Sequence, residues 1–142
     1  MRNQSVRSKS HARWGGGLLH ALPRDCVFVF GSNLAGRHGQ GAAHTAALHF
    51  GAQYGVGEGL TGRAYALPTK NAQVQTLPLT CIAEHVDTFL RFASANPHTR
   101  FFVTKIGTGL AGYSPNAIAP LFAHAGQNVL LPDQFIEHIN HE

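Results

Sequence analysis

Two glycine-rich turns are the segments of this sequence best suited to chemistry. The first is Gly31-Ser32-Asn33-Leu34-Ala35-Gly36-Arg37-His38-Gly39-Gln40-Gly41, and the second is Gly107-Thr108-Gly109-Leu110-Ala111-Gly112-Tyr113. Each joins a short apolar run to a segment that reads as a helix. Glycine lets the backbone approach a ligand closely, and exposed N–H groups at a helix N-terminus attract an anion. Ser32, Asn33, Gly39 and Gly41 are the candidate ligand contacts of the first turn. Gly107, Thr108, Gly109, Leu110, Ala111, Gly112 and Tyr113 are those of the second. Asn33 hydrogen-bonds a sugar or fixes its loop; Tyr113 covers a ribose or packs the turn. Two such loops side by side can hold a pyrophosphate from both sides.

The flanking elements place both turns at one edge of a sheet. Cys26-Val27-Phe28-Val29-Phe30 is an apolar run that ends in glycine, the pattern of a buried strand. Residues 40–50 read as a helix with Ala42, Ala43, Ala46, Ala47 and Phe50 on one face and Gly51 as its C-terminal stop. Residues 52–63 are a glycine-punctuated loop, and residues 64–68 a second strand. A helix over 79–95 carries Ile82, Val86, Phe89, Leu90 and Ala93 at helical spacing. A third strand covers 101–106. Ser114 caps a further helix with Pro115 at its first position, Gly126 closes it, and 129–131 is a fourth strand. Alternating strands and helices predict an α/β fold whose sheet is largely parallel, with helices on both faces. Ligands of such sheets bind beyond the carboxyl ends of the strands, where both turns fall.

Composition narrows the function classes. Hydrophobic residues make up 44% of the 142 and charged residues 13%, a globular balance. The net charge of +4 is unevenly spread. Arg2, Arg7, Lys9, Arg13 and Arg24 precede the first acidic residue, Asp25, and from there on six basic residues face seven acidic ones. A general nucleic-acid-binding surface on the body is therefore disfavoured. Residues 1–24 read as a disordered basic extension outside the fold, and residues 25–142 as one domain. Cys26 and Cys81 have no metal-ligand spacing and read as small buried hydrophobes. With no membrane-length apolar run and no hydrophobic secretory segment, the expectation is a cytoplasmic protein.

Other motifs fail on context. Gly57-Glu58-Gly59-Leu60-Thr61-Gly62 has the glycine spacing of a dinucleotide fingerprint but precedes a strand instead of following one. Gly31 to Gly36 has P-loop spacing, yet Arg37-His38 stands where an ATPase needs Lys and Ser or Thr. None of the ten histidines shows the spacing of a helical metal site, so no metal is expected and most read as solvated.

Taken in order, the two turns resemble those of the macrodomain family of ADP-ribose-binding domains. In that family an Asn after the first strand leads through a glycine-rich turn into a helix beginning Gly-Ala, matched here by Asn33 and Gly39-Gln40-Gly41-Ala42. The family's second phosphate loop is matched by Gly107, Gly109, Gly112 and Tyr113 at their positions in Gly-x-Gly-x-x-Gly-Tyr. The resemblance spans about residues 26–131. It implies a three-layer α/β/α fold, ADP-ribose or another NAD-derived nucleotide as ligand, and no cofactor. Leu67-Pro68-Thr69-Lys70 further resembles a segment of the DarG-type antitoxin macrodomains and terminal ADP-ribose protein glycohydrolases. That branch implies Lys70 as the catalytic nucleophile at the distal ribose of ADP-ribosylated protein or DNA.

Two departures divide the reading. Ala111 stands where the branch often has a carboxylate, and Gln40 where another macrodomain branch has Asp. Glu58 and Asp133 are the candidate substitutes. One hypothesis is a lysine-dependent ADP-ribosyl glycohydrolase, and the other a non-catalytic reader or sequestering module. A third gives the glycine turns a packing role alone.

Overall fold

The computed structural model describes residues 11–15 and 22–139. Its strands are β1 (Arg13–Trp14), β2 (Cys26–Asn33), β3 (Gly59–Thr61), β4 (Ala64–Lys70), β5 (Arg100–Val103) and β6 (Val129–Pro132). They form one sheet in the order β1-β6-β5-β2-β4-β3. Every pairing is parallel except that of β3 with β4. Four helices among the described residues accompany it: α1 (Gly41–His49), α2 (Leu79–Ser94), α3 (Pro115–Ile118) and α4 (Asp133–Ile136), with a 3₁₀ turn over Ala119–Phe122. The fold is thus mixed α/β with a six-stranded, mostly parallel sheet.

Strand alternation sorts the core into two clusters. Val27, Val29, Tyr65, Leu67, Phe101 and Val103 pack with Ile82, Val86, Phe89 and Ala93 of α2 on one face. The intervening Phe28, Phe30, Ala64 and Ala66 pack with Ala43, Ala46 and Phe50 of the α1 segment on the other. The small side chains of Ala43 and Ala46 let α1 lie close to the sheet, and Phe50 stacks on Phe28 at 4.5 Å between ring centroids. β2 lies between β4 and β5, buried along nearly its whole length, so its tip is the centre of the carboxyl edge. No helix among the described residues is long and apolar enough to cross a membrane.

Four expectations need correction. Residues 52–63 are not all loop: Gly59–Thr61 is β3, because its backbone finds an antiparallel partner in β4. Residues 11–15 are not outside the fold: Arg13–Trp14 pairs with β6. The Trp14 indole N–H donates to the Val103 carbonyl at 2.9 Å, and its ring meets Phe102 edge-on at 5.3 Å. Residues 1–10 and 16–21 lie outside the described residues. The single helix expected from Ser114 to Gly126 is one α-helical turn followed by a 3₁₀ turn. Pro120 has no N–H to donate to the previous turn and crowds its carbonyl, so an α-helix cannot run through it. The start matches expectation, because Ser114 Oγ accepts from the Ala117 N–H at 3.3 Å. Finally, the third strand stops at Val103, where Thr104 turns away and sends both its N–H and its hydroxyl to the Val29 carbonyl.

Candidate functional site

An open cleft of about 750 Å³ lies along the carboxyl ends of β2, β4 and β5. Its lining draws on the first glycine turn, the end of β4 and the second glycine turn. Ser32, Asn33, Gly39, Gly41, Lys70, Gly107, Thr108, Gly109, Leu110 and Ala111 all line it. Gly112 and Tyr113 do not.

The first turn is held by its own asparagine. Asn33 is 8% exposed, and its carboxamide clamps Arg37: Nδ2 donates to the Arg37 carbonyl at 2.9 Å while Oδ1 accepts from the Arg37 N–H at 3.0 Å. Of the two roles open to Asn33, the structure shows loop fixing. Ser32 is also engaged, its hydroxyl donating to the Gly57 carbonyl at 2.5 Å. His38 is fully buried, an exception to the expectation that most of the histidines are solvated. Its Nε2–H donates to the Gln53 carbonyl at 3.0 Å, and Nδ1 has no partner among the described residues. The loop then delivers α1 with its N-terminus toward the cleft. Gln40 gives no side-chain cap, and the first bond of the helix runs from His44 N–H to the Gln40 carbonyl. Among the described residues, the N–H groups of Gly41, Ala42 and Ala43 therefore have no acceptor.

The second turn is shaped by Gly107. Its φ is +79°, and a β-carbon there would come within 2.9 Å of Ile118 Cδ1. The loop closes through Tyr113 N–H to the Gly107 carbonyl at 2.9 Å and Gly112 N–H to the Gly109 carbonyl at 3.0 Å. Thr108 turns its hydroxyl back to the Lys105 carbonyl at 2.8 Å. The N–H groups of Gly109, Leu110 and Ala111 find no acceptor among the described residues.

The connection from β4 to α2 ties the cleft together. Lys70 is the last residue of β4, half-buried, and its carbonyl accepts from Leu34 N–H at 3.0 Å. Beyond it the chain makes a loop, and Thr76 Oγ1 donates to the Ala111 carbonyl at 3.1 Å. Tyr113 adds a second tie by donating its hydroxyl to the Leu77 carbonyl at 2.9 Å while its ring packs on the core. Tyr113 is thus a strut between the second turn and the β4–α2 connection, the packing role of the two open to it.

The electrostatics of the cleft are one-sided. Among the described residues its ionisable lining groups are Arg37, Lys70 and Lys105, all cations, and no carboxylate. Glu58 is paired with His85 at 2.8 Å, and Asp133 with Arg13 at 2.7 Å. Neither lines the cleft, so neither fills the acid/base role offered to it. The two displaced titrations lie elsewhere. Burial, and then the nearby Glu58 charge, pushes the Tyr65 phenol up to about 12, and burial raises the Cys26 thiol. Cys26 is buried as expected, whereas Cys81 is only half-buried.

Arg37 and Lys105 were not among the sequence candidates, nor were Thr69 and Val74, which also line the cleft. The cations had a readable signal. Of six basic residues after Asp25, Lys70 and Lys105 sit at or just after an apolar strand end, and Arg37 lies inside the first glycine turn. Comparison with protein-family models, with curated proteins and with solved structures finds no match for the chain.

Proposed function

We propose that this protein binds ADP-ribose, or a closely related NAD-derived nucleotide, through its two glycine turns, in the manner of a three-layer α/β/α macrodomain. One observation carries the reading: two loops with unpaired N–H groups share a cleft whose ionisable groups are all cations. A pyrophosphate carries two negative charges on acceptor-only oxygens, and N–H donors from α1 and from Gly109 to Ala111 complement it. Arg37 and Lys105 supply neutralising charge. The Asn33 clamp and the Tyr113 strut keep both donor sets fixed before the ligand arrives, which lowers the ordering cost of binding.

Hydrolysis of ADP-ribosyl adducts on protein or DNA is the second reading, and the presence of Lys70 in the cleft favours it. A neutral lysine amine can bond to the anomeric carbon as the bond to the modified group breaks. The departing group takes the electron pair and needs a proton, and no carboxyl group lines the cleft to give one. Binding is therefore the conclusion, with the protein acting as a reader or sequestering module.

Calorimetric titration with ADP-ribose tests binding directly, and absence of saturable heat from folded protein rules the reading out. Incubation with ADP-ribosylated protein and DNA separates reader from enzyme. Release of ADP-ribose that disappears in Lys70→Ala establishes the enzyme, and no release establishes the reader.

A further inference from the structure

Alone among the described non-glycine residues, Val74 has a left-handed backbone, with φ +62°. A β-branched side chain is the least suited to that region, because its γ-methyl groups crowd the backbone. The conformation is imposed from outside. Asn71 Oδ1 accepts from the N–H groups of Gln73 at 2.9 Å and Gln75 at 3.0 Å, and Asn71 N–H donates to the Gln75 carbonyl at 2.8 Å. Glycine or asparagine would sit in this turn with little strain.

The valine does not serve the core. It is 41% exposed, and its neighbours in the loop are exposed as well. What it does is line the cleft beside Lys70. Leu110, on the second turn, lines the same cleft and is 70% exposed. The Thr76 bond to the Ala111 carbonyl fixes these two stretches of chain to each other. A strained, exposed, apolar residue that serves no core and lines the cleft points to contact with the ligand.

We propose that Val74, with Leu110, is a specificity residue that selects ligands carrying an uncharged ring on the sugar next to Lys70. The inference rests on the nucleotide-binding reading above, with the distal ribose toward Lys70 as the resemblance of Leu67 to Lys70 implies. An uncharged ring buries its faces against the two apolar side chains. A cationic ring there loses hydration and is repelled by Arg37, Lys70 and Lys105.

Three probes in calorimetry test this: ADP-ribose, whose anomeric carbon bears a hydroxyl, NADH, which carries a neutral dihydronicotinamide ring there, and NAD⁺, whose ring is cationic. Wild type is expected to bind NADH about fivefold more tightly than ADP-ribose, the scale of one half-covered valine, and NAD⁺ more weakly than NADH. Val74→Ser erases most of that preference while leaving ADP-ribose affinity within about twofold. Relief of the strained turn is read separately: Val74→Gly and Val74→Asn raise the thermal midpoint by roughly 3–6 °C. Equal affinities for ADP-ribose and NADH in wild type, or a preference that survives Val74→Ser, overturns the inference and leaves ADP-ribose binding standing. A lowered midpoint in both strain-relief variants overturns it as well. Failure of wild type to bind any of the three probes sinks both readings together.

Discussion

Replacing Gly109 by valine separates a ligand-binding role for the second turn from a packing role. A β-carbon at Gly109 meets nothing within 4 Å, and the residue is exposed, so the fold has room for a larger side chain. The added isopropyl group stands on the cleft-lining segment that carries the unpaired N–H groups of Gly109, Leu110 and Ala111 and competes with a phosphate for that space. Each hydrogen bond from such a group to a charged phosphate oxygen contributes about 1.5–3 kcal/mol. Loss of two gives about 3–6 kcal/mol, a drop in affinity of at least about a hundredfold. Gly107→Val is the contrasting variant. Its left-handed φ of +79° and the 2.9 Å approach to Ile118 damage the fold first, and the expected destabilisation is about 2–4 kcal/mol. Thermal unfolding and calorimetry on both proteins give the readout. Gly109→Val melts within about 2 °C of wild type and loses ADP-ribose, whereas Gly107→Val melts many degrees lower. Wild-type affinity in a folded Gly109→Val refutes the phosphate-loop reasoning.

Other positions make separate predictions. Asn33→Ala removes both bonds of the buried Arg37 clamp and is expected to cost about 1–3 kcal/mol in chemical denaturation while weakening ADP-ribose binding; unchanged stability contradicts the clamp. Tyr113→Phe loses the bond to the Leu77 carbonyl but keeps the ring, so stability falls by about 0.5–1.5 kcal/mol. A ligand-stacking tyrosine behaves oppositely, with unchanged stability and tolerance of Phe alone among substitutions. Tyr65 predicts alkaline weakening of the fold. Its phenol is held at about 12 in the fold, against about 10 in an unfolded chain, so the unfolded state loses its proton first. The contribution is intact below about pH 10 and is lost as pH rises toward 12, by about 2–3 kcal/mol in all. Denaturation of Tyr65→Phe across that range lacks this part of the slope, and identical slopes in the two proteins refute the assignment.

The parts of this fold legible in the sequence are those where one local pattern decides the outcome. The apolar run from Cys26 to Phe30 can only be buried on both faces, and it forms the central strand. Ile82, Val86, Phe89 and Ala93 repeat at helical spacing and are the buried face of α2. Gly57 to Gly62 lacks the strand before it that a dinucleotide fingerprint needs, but its Gly59–Thr61 stretch, read as loop, is β3, paired antiparallel with β4. Other features depend on contacts far away in sequence. Nothing near Trp14 announces that its indole reaches Val103 and that Arg13–Trp14 extends the sheet. Tyr113 has the same local surroundings whether it faces a sugar or Leu77, and only the path of the β4–α2 connection decides between them. The break at Pro120 was readable, since a proline inside a helical segment removes a donor whatever the tertiary context. In the site, the glycines identified the loops but not the charge between them. That Arg37 and Lys105 share one cleft with Lys70 follows from the order of β5, β2 and β4 in the sheet, which no single segment encodes.

Titration of the wild-type protein with ADP-ribose at low and moderate salt tests the central claim most directly. A pyrophosphate held by unpaired N–H groups and three cations gives saturable one-to-one binding, several-fold weaker when salt rises from about 50 to about 200 mM. Folded protein that gives no saturable heat with ADP-ribose at either salt concentration contradicts the account.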